Sequence, residues 1–154
     1  MRRKFSGNVK IKPFDIAHLE IKDFRIDPVV GKAIEKNFKC ISFAETAFYK
    51  EDNTPLGFGV FFNKWQRHYE IVLIVNVKLQ SLAFRYRAAG ILATKQIVER
   101  FAKQNKPLRL QANCSVNDSV AFRFAEGIGF RKEGLMKKFG YYNEDNYRLA
   151  MVWE

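Results

Sequence analysis

The sequence predicts a single α/β domain, and three stretches carry that prediction. Leu108, Leu110, Ala112 and Cys114 recur at every second position, as in a half-buried strand, and Val120, Ala121, Phe124, Ala125 and Ile128 then follow at helical spacing. Residues 68–75, HYEIVLIV, form an almost continuous apolar run suited to a central strand covered on both faces, and a long helical stretch to about Gln104 comes after it. Residues 41–49 and 56–63, ISFAETAFY and LGFGVFFN, are β-rich runs around the polar turn Lys50-Glu51-Asp52-Asn53-Thr54-Pro55, which makes them a hairpin.

The remaining elements follow in chain order. Residues 8–13, NVKIKP, alternate enough for a first strand, and Asp15 can cap a short helix running through His18 and Leu19. After a connection over residues 22–27, Pro28 suits the first turn of a second helix, PVVGKAIEKNF, where its missing N–H is unpaired in any case. In the long helix Phe84, Ala88, Ile91, Val98 and Ala102 fall on one face, with Arg85, Gln96, Glu99, Arg100 and Lys103 largely elsewhere. Ser115-Val116-Asn117-Asp118 offers turn and cap chemistry before the short helix, and Gly127 or Gly129 can close it. Residues 131–147, RKEGLMKKFGYYNEDNY, read as an edge hairpin leading into the alternating run Tyr147, Leu149, Met151, Trp153.

Composition bounds the function. Hydrophobic residues make up 47% of the chain and charged ones 28%, which describes a globular protein. No apolar run approaches the ~20 residues of a membrane span, and the basic N-terminus, MRRKFSGNVKIK, lacks the apolar segment of a secretory signal. Cys40 and Cys114 are too few for a disulfide framework, and no Cys/His cluster has zinc spacing, so no metal is expected. The expectation is a soluble, cytoplasmic protein. The net charge of +11 predicts attraction to polyanions such as nucleic acid or a phosphorylated cofactor. Gly57-Phe58-Gly59 invites comparison with the signature strand of RNA-recognition motifs, but Leu56, Val60 and Asn63 depart from it. An RNA-binding module is the third function class on this sequence.

The strand, polar turn, short helix and Gly-Phe over 108–130 resemble the late segment of the GNAT (N-acetyltransferase) superfamily. Asp118-Ser119-Val120-Ala121 stands in the place of the family's Asn-x-x-Ala, and Gly129-Phe130 is its Gly-Phe. Tyr141-Tyr142 and the run from Tyr147 to Trp153 look like its closing strands. Glu70-Ile71-Val72 resembles the fourth strand of the histone-acetyltransferase branch, in which the glutamate is the general base. The resemblance extends over about Asn8 to Glu154, within one domain spanning 1–154, and implies a mixed, mostly antiparallel sheet flanked by helices.

It also implies acetyl-CoA-dependent transfer of an acetyl group to an amine by direct attack. An acceptor ammonium must lose a proton before it attacks, and Glu70 is the group placed to take it. Backbone amides of Leu73 and Val75 would hold the cofactor arm, and Asp118 would stand beside it. The family's pyrophosphate loop, Gln/Arg-x-x-Gly-x-Gly/Ala, has two placements here. In the first, Arg87-Ala88-Ala89-Gly90-Ile91-Leu92 is the loop, with Leu92 where a small residue belongs. In the second, Ser81–Arg87 is similar to the segment of phage-encoded GNAT-like proteins that replaces the loop; the helix begins near Ala83, Gly90 lies inside it, and Arg85 and Arg87 meet phosphates by charge.

A second departure concerns the acid. Many GNAT enzymes carry a tyrosine four residues after the Ala of Asn-x-x-Ala; here that position is Ala125, and Tyr141 or Tyr142 is the substitute if the last hairpin turns one inward. The competing class is therefore a non-catalytic GNAT-fold protein with a structural or host-interaction role, including a phage-encoded one residing in host cytoplasm or virion. The region before residue 41, which shapes the acceptor site in the family, carries no motif. The acceptor amine, small molecule or protein, is not fixed by the sequence.

Overall fold

The computed structural model describes residues 8–154; residues 1–7, the start of the basic N-terminal segment, lie outside the described residues. Among the described residues seven strands form one sheet: β1 (Val9–Pro13), β2 (Ile41–Tyr49), β3 (Pro55–Trp65), β4 (His68–Val75), β5 (Arg109–Ser115), β6 (Arg131–Met136) and β7 (Asn146–Val152). Their spatial order is β1-β2-β3-β4-β5-β7-β6. Each neighbouring pair is antiparallel except β4 and β5, which are parallel. The helices are α1 (Pro28–Lys36), α2 (Phe84–Asn105) and α3 (Ser119–Gly127). This is the mixed, mostly antiparallel architecture expected.

Local chemistry sets the element boundaries. Asp15 caps a 3₁₀ turn over Ile16–Glu20 through a bond from the Ala17 N–H at 2.8 Å, and Asp27 caps α1 through the Val29 N–H at 2.8 Å, with Pro28 in its first turn. The parallel β4–β5 pair needs a long crossover, which α2 supplies. Lys106, at φ 45°, then ends α2 in the left-handed conformation. At the end of α3, Gly127 is the last helical residue and Gly129, at φ 112°, makes the turn into β6.

Alternation along the strands divides the core in two. On one face Phe61, Tyr69, Ile71 and Leu110 pack under α2, where Phe101 stacks on Phe61 with ring centroids 4.1 Å apart. On the other face Phe58 and Val60 pack with Phe24 and Ile34 from the segment that contains α1. The β3 rings are thus consumed by both cores. Phe58 and Phe61 are completely buried, so neither is available to stack on a base, and the RNA-recognition reading of Gly57-Phe58-Gly59 loses its physical basis.

Two expectations need correction. The buried side of α2 is Tyr86, Ala89, Ala93, Ile97 and Phe101, while Phe84 is 69% exposed. Phe84 stands at the very start of the helix with no neighbouring element to pack on it, so its apolar character misled the phase. Tyr141 and Tyr142 do not belong to a closing strand; both lie in the turn between β6 and β7.

Candidate active site

β4 and β5 share three rungs, His68↔Arg109, Tyr69↔Leu110 and Glu70↔Gln111. Past that point β4 runs on to Val75 beside β3 and β5 to Ser115 beside β7, without pairing to each other. The strands splay into a wedge whose apex is the Glu70–Gln111 rung. The Asn76 N–H bonds the Leu56 carbonyl at 3.0 Å, which fixes the phase of the β3–β4 ladder. Glu70, Val72 and Ile74 therefore bond to β3, whereas Leu73 and Val75 turn their N–H and C=O groups toward the wedge, where β5 offers no rung.

Glu70 lies on the α1 side of the sheet, in a cleft of about 350 Å³ lined by Val30, Ala33 and Ile34 of α1, by Phe62 and Val72, and by Tyr141. Gln111 Nε2 donates to Glu70 Oε2 at 3.1 Å, and Lys64 Nζ stands 4.0 Å from the same oxygen. Both contacts fall on Oε2, so Oε1 is free to take a proton. Gln111 was not singled out from sequence. Its signal was there: a polar residue between Leu110 and Ala112 of an alternating strand belongs on the opposite face from the core.

On the α2 side, buried Asn76 pins the loop that follows β4. Its Nδ2 donates to the Pro55 carbonyl at 2.7 Å and its Oδ1 accepts from the Lys78 N–H at 2.8 Å, while Lys78 Nζ pairs with Asp23 at 2.8 Å. This places the start of α2 after the wedge-side strand. Ala83 is its cap residue and brings no side-chain bond; its carbonyl accepts from the Tyr86 N–H at 2.9 Å, and the Phe84 and Arg85 amides keep their partial positive charge uncapped. Arg85 and Arg87 are both exposed here. The Arg85 guanidinium lies 5.1 Å from the Tyr86 ring and 5.9 Å from the Tyr49 ring, toward the β2–β3 turn, where Tyr86 donates to Asp52 at 2.6 Å. Arg87 lies 5.8 Å over the Phe84 ring and forms no ion pair among the described residues.

The start of α2 at Phe84 decides between the two loop placements. Gly90 is inside the helix and buried, so the loop reading of Arg87–Leu92 is corrected: helical bonding occupies the backbone that a loop would present to phosphates. What Gly90 does permit is close packing, since a Cβ there would lie 2.9 Å from Leu79 Cδ1. Asp118 is the cap of α3, accepting from the Ala121 N–H at 2.9 Å. Beside it Cys114 is buried, and burial pushes its thiol up to about 11, which leaves it protonated and inert. Ala125 is buried and has no proton to give. Tyr141 lines the cleft that holds Glu70, whereas the Tyr142 hydroxyl donates to Asp27 Oδ2 at 2.8 Å.

Among the described residues no group of three or more His, Cys, Asp or Glu side chains can hold a metal ion. None of their helices is long and apolar enough to cross a membrane.

No family model matches the sequence, and no curated protein matches it. Solved structures do match by fold. An acetyltransferase of the GNAT family from Bacillus anthracis superposes with a TM-score of 0.69 at 22% identity, over 94% of this chain and 95% of that one. A spermidine N-acetyltransferase chimera of Vibrio cholerae SpeG and hSSAT gives 0.71 at 11% identity over 94% and 95%. The NatC complex bound to Gag peptide and CoA gives 0.67 at 15% identity over 96% and 99%. The chain has the fold of the GNAT acetyltransferases.

Proposed function

We propose that this protein is an acetyl-CoA-dependent N-acetyltransferase that passes an acetyl group directly to an amine, with Glu70 as general base. The observation that carries this reading is the wedge between β4 and β5: it leaves two strand amides unpaired on one side and puts a carboxylate with a free oxygen at its apex. The presence among its structural neighbours of a spermidine N-acetyltransferase and of a complex bound to peptide and CoA supports the cofactor and the amine acceptor.

The residues present fit that cofactor. The amides of Leu73 and Val75 would hold its arm, and the uncapped start of α2 with Arg85 and Arg87 would face its phosphates. Gly90 serves that site by letting Leu79 close against α2, and Asp118 by fixing the start of α3 through its cap. When bound, acetyl-CoA supplies an acetyl group already activated as a thioester. Glu70 Oε1 takes the proton of the acceptor ammonium, directly or through water, and Gln111 holds the carboxylate in place through Oε2. The acceptor nitrogen would form its bond to the acetyl carbon as the thioester C–S bond breaks, and the hydroxyl of Tyr141, which shares the cleft, is the group this reading assigns to protonate the departing thiolate.

The test is calorimetric titration with acetyl-CoA at low and moderate salt, on the native chain and on an Arg85→Ala, Arg87→Ala variant. Micromolar binding that weakens in the variant and survives moderate salt is the expected result. Absence of binding, or binding that vanishes with salt alike in both proteins, overturns it. Ala125 favours one other reading, a non-catalytic protein of this fold. Acetyl-CoA binding with no amine-dependent thiol release would establish that alternative.

A further inference from the structure

Beyond Glu70, the α1 side of the sheet continues onto β5 and β7. Leu110, Ala112 and Cys114 with Tyr147, Leu149 and Met151 pack toward α2 and α3. The opposite alternation therefore puts Gln111 and Asn113 of β5, and Asn146 and Arg148 of β7, on the face that carries Glu70. The register sets their sequence across that face: Glu70 beside Gln111, Asn113 one step further along β5, and Arg148 directly opposite Asn113.

Three polar atoms in this row are buried without a hydrogen-bond partner: Asn113 Oδ1, Asn146 Oδ1 and Arg148 Nε. Asn146 is only 9% exposed. Arg148 has no ion pair among the described residues, and the nearby carboxylate of Glu133 is already held by both terminal nitrogens of Arg109. Native folds leave few such groups unsatisfied, and a cluster of them on the sheet face that carries Glu70 points to a ligand. Their chemistry is mixed, two acceptors and one cationic donor.

We propose that this row is the specificity surface for the acceptor, and that the acceptor is an amine bearing a carboxylate or amide group, an amino-acid or peptide amine, and not a polyamine. The inference rests on the acetyltransferase reading only for calling the ligand an acceptor. Arg148 is the donor for a carboxylate or carbonyl, while Asn113 and Asn146 accept the N–H groups that an amide offers. With strands ~4.8 Å apart and ~3.3 Å per residue, the backbones at Glu70 and Arg148 are about 12 Å apart, which the two side chains narrow to the reach of a short peptide. A polyamine finds the reverse. Glu70 is the carboxylate among the described residues lining the cleft, Lys64 stands 4.0 Å from it, and the chain carries a net charge of +11.

The experiment is an NMR titration with the dipeptide alanyl-glutamate and with spermidine, each in the presence of free coenzyme A, on the native protein, Arg148→Gln and Arg148→Lys. The dipeptide is expected to bind at least about tenfold more tightly than spermidine, with amide shifts at Gln111, Asn113, Asn146 and Arg148, and to lose about tenfold in Arg148→Gln. Arg148→Lys keeps the charge but not the planar fork, and should recover part of the loss. Equal or tighter binding of spermidine, no binding of either probe, or a dipeptide affinity indifferent to Arg148→Gln in a protein that keeps its native spectrum would overturn the inference. Transfer to spermidine would do so while leaving the acetyltransferase reading intact. Dipeptide binding at these residues without any acetyl transfer would do the opposite.

Discussion

Replacing Glu70 with glutamine removes a proton acceptor and little else. The side chain is 26% exposed, its contact with Lys64 is long at 4.0 Å, and Gln111 can still donate to an amide oxygen. An exposed pair of this kind contributes about 0–1 kcal/mol, so Glu70→Gln should unfold within about 1 kcal/mol of the native chain. The rate should fall far more, by about 10²–10⁴, the usual contribution of a positioned base. Its pH dependence carries the diagnosis. At pH 7 an α-amine of pKa ~8 is about 9% free base, and an alkyl amine of pKa ~10.4 only about 0.04%. Without Glu70, the variant must wait for that free fraction, so its rate should climb about tenfold per pH unit until the acceptor's own pKa. The deficit against the native protein should therefore shrink by only about tenfold and level off by about pH 9 for an α-amine, and keep shrinking up to about pH 10 for an alkyl amine. The assay is thiol release from acetyl-CoA between pH 6 and 10, with a denaturant melt alongside. A folded Glu70→Gln protein within threefold of native activity at pH 7, or one with an unchanged pH profile, would refute the assignment.

Three further outcomes are expected. A Cβ at Gly57 would lie 2.6 Å from the Ile74 carbonyl oxygen, a backbone atom of the strand segment whose Leu73 and Val75 amides face the wedge; Gly57→Ala should cost about 1–3 kcal/mol in a urea melt and weaken acetyl-CoA binding, and unchanged values for both would count against the wedge. Burial raises the Glu45 carboxyl above its ordinary range despite Arg100 Nη2 at 2.7 Å, so the folded state binds an extra proton and stability should fall as pH rises from about 4.3 through the raised value, then level off; Glu45→Gln should flatten that limb, and an identical pH–stability curve would show that the group is not buried in solution. Asp118→Ala removes the α3 cap and should cost about 1 kcal/mol of stability with the cofactor affinity little changed; a large loss of acetyl-CoA binding in a stable variant would mean that Asp118 contacts the cofactor itself.

The elements were legible because their signals are local. Alternation, the caps at Asp15 and Asp118, Pro28 at the start of α1 and the turn around Asn53 are each written within a few residues. The placement of Glu70 near the start of a central strand was legible for the same reason. What the sequence did not display depends on pairing between segments far apart. Gln111 sits 41 residues from the carboxylate it supports, and Tyr142 is 115 residues from Asp27. Gly90 looked like a loop glycine because Gly in a helix interior is disfavoured by about 1 kcal/mol; the close approach of Leu79 is a tertiary reason for it that no local pattern contains. The phase of α2 failed similarly, since Phe84 and Tyr86 are both aromatic and only the sheet beneath decides which is buried.

The site's position follows from how the two halves of the sheet are covered. β2, β3 and β4 have apolar packing on both faces, from α2 on one side and from the segment around α1 on the other, and the buried polar exception there, Glu45, is paired through one oxygen with Arg100. β5 and β7 are apolar on one face only; the other holds Gln111, Asn113, Asn146 and Arg148. A parallel pair joins the halves by three rungs and then opens. Unpaired strand amides, three of the four buried unsatisfied side-chain atoms among the described residues (Glu45 Oε2 on β2 is the fourth) and a carboxylate with a free oxygen collect along or beside that seam, and each represents a cost that folding alone does not offset. Binding a ligand that supplies the missing partners would offset it, which is why the proposed chemistry is assigned to the seam and not to the doubly covered half. The surplus of 27 basic over 16 acidic residues adds a long-range attraction for a phosphorylated cofactor. That attraction speeds encounter and weakens with salt as the Debye length shrinks to ~8 Å at physiological strength. The contacts along the seam, being short and partly buried, should not weaken with it, so a salt-resistant component of acetyl-CoA affinity measures the seam and the salt-sensitive remainder measures the surface.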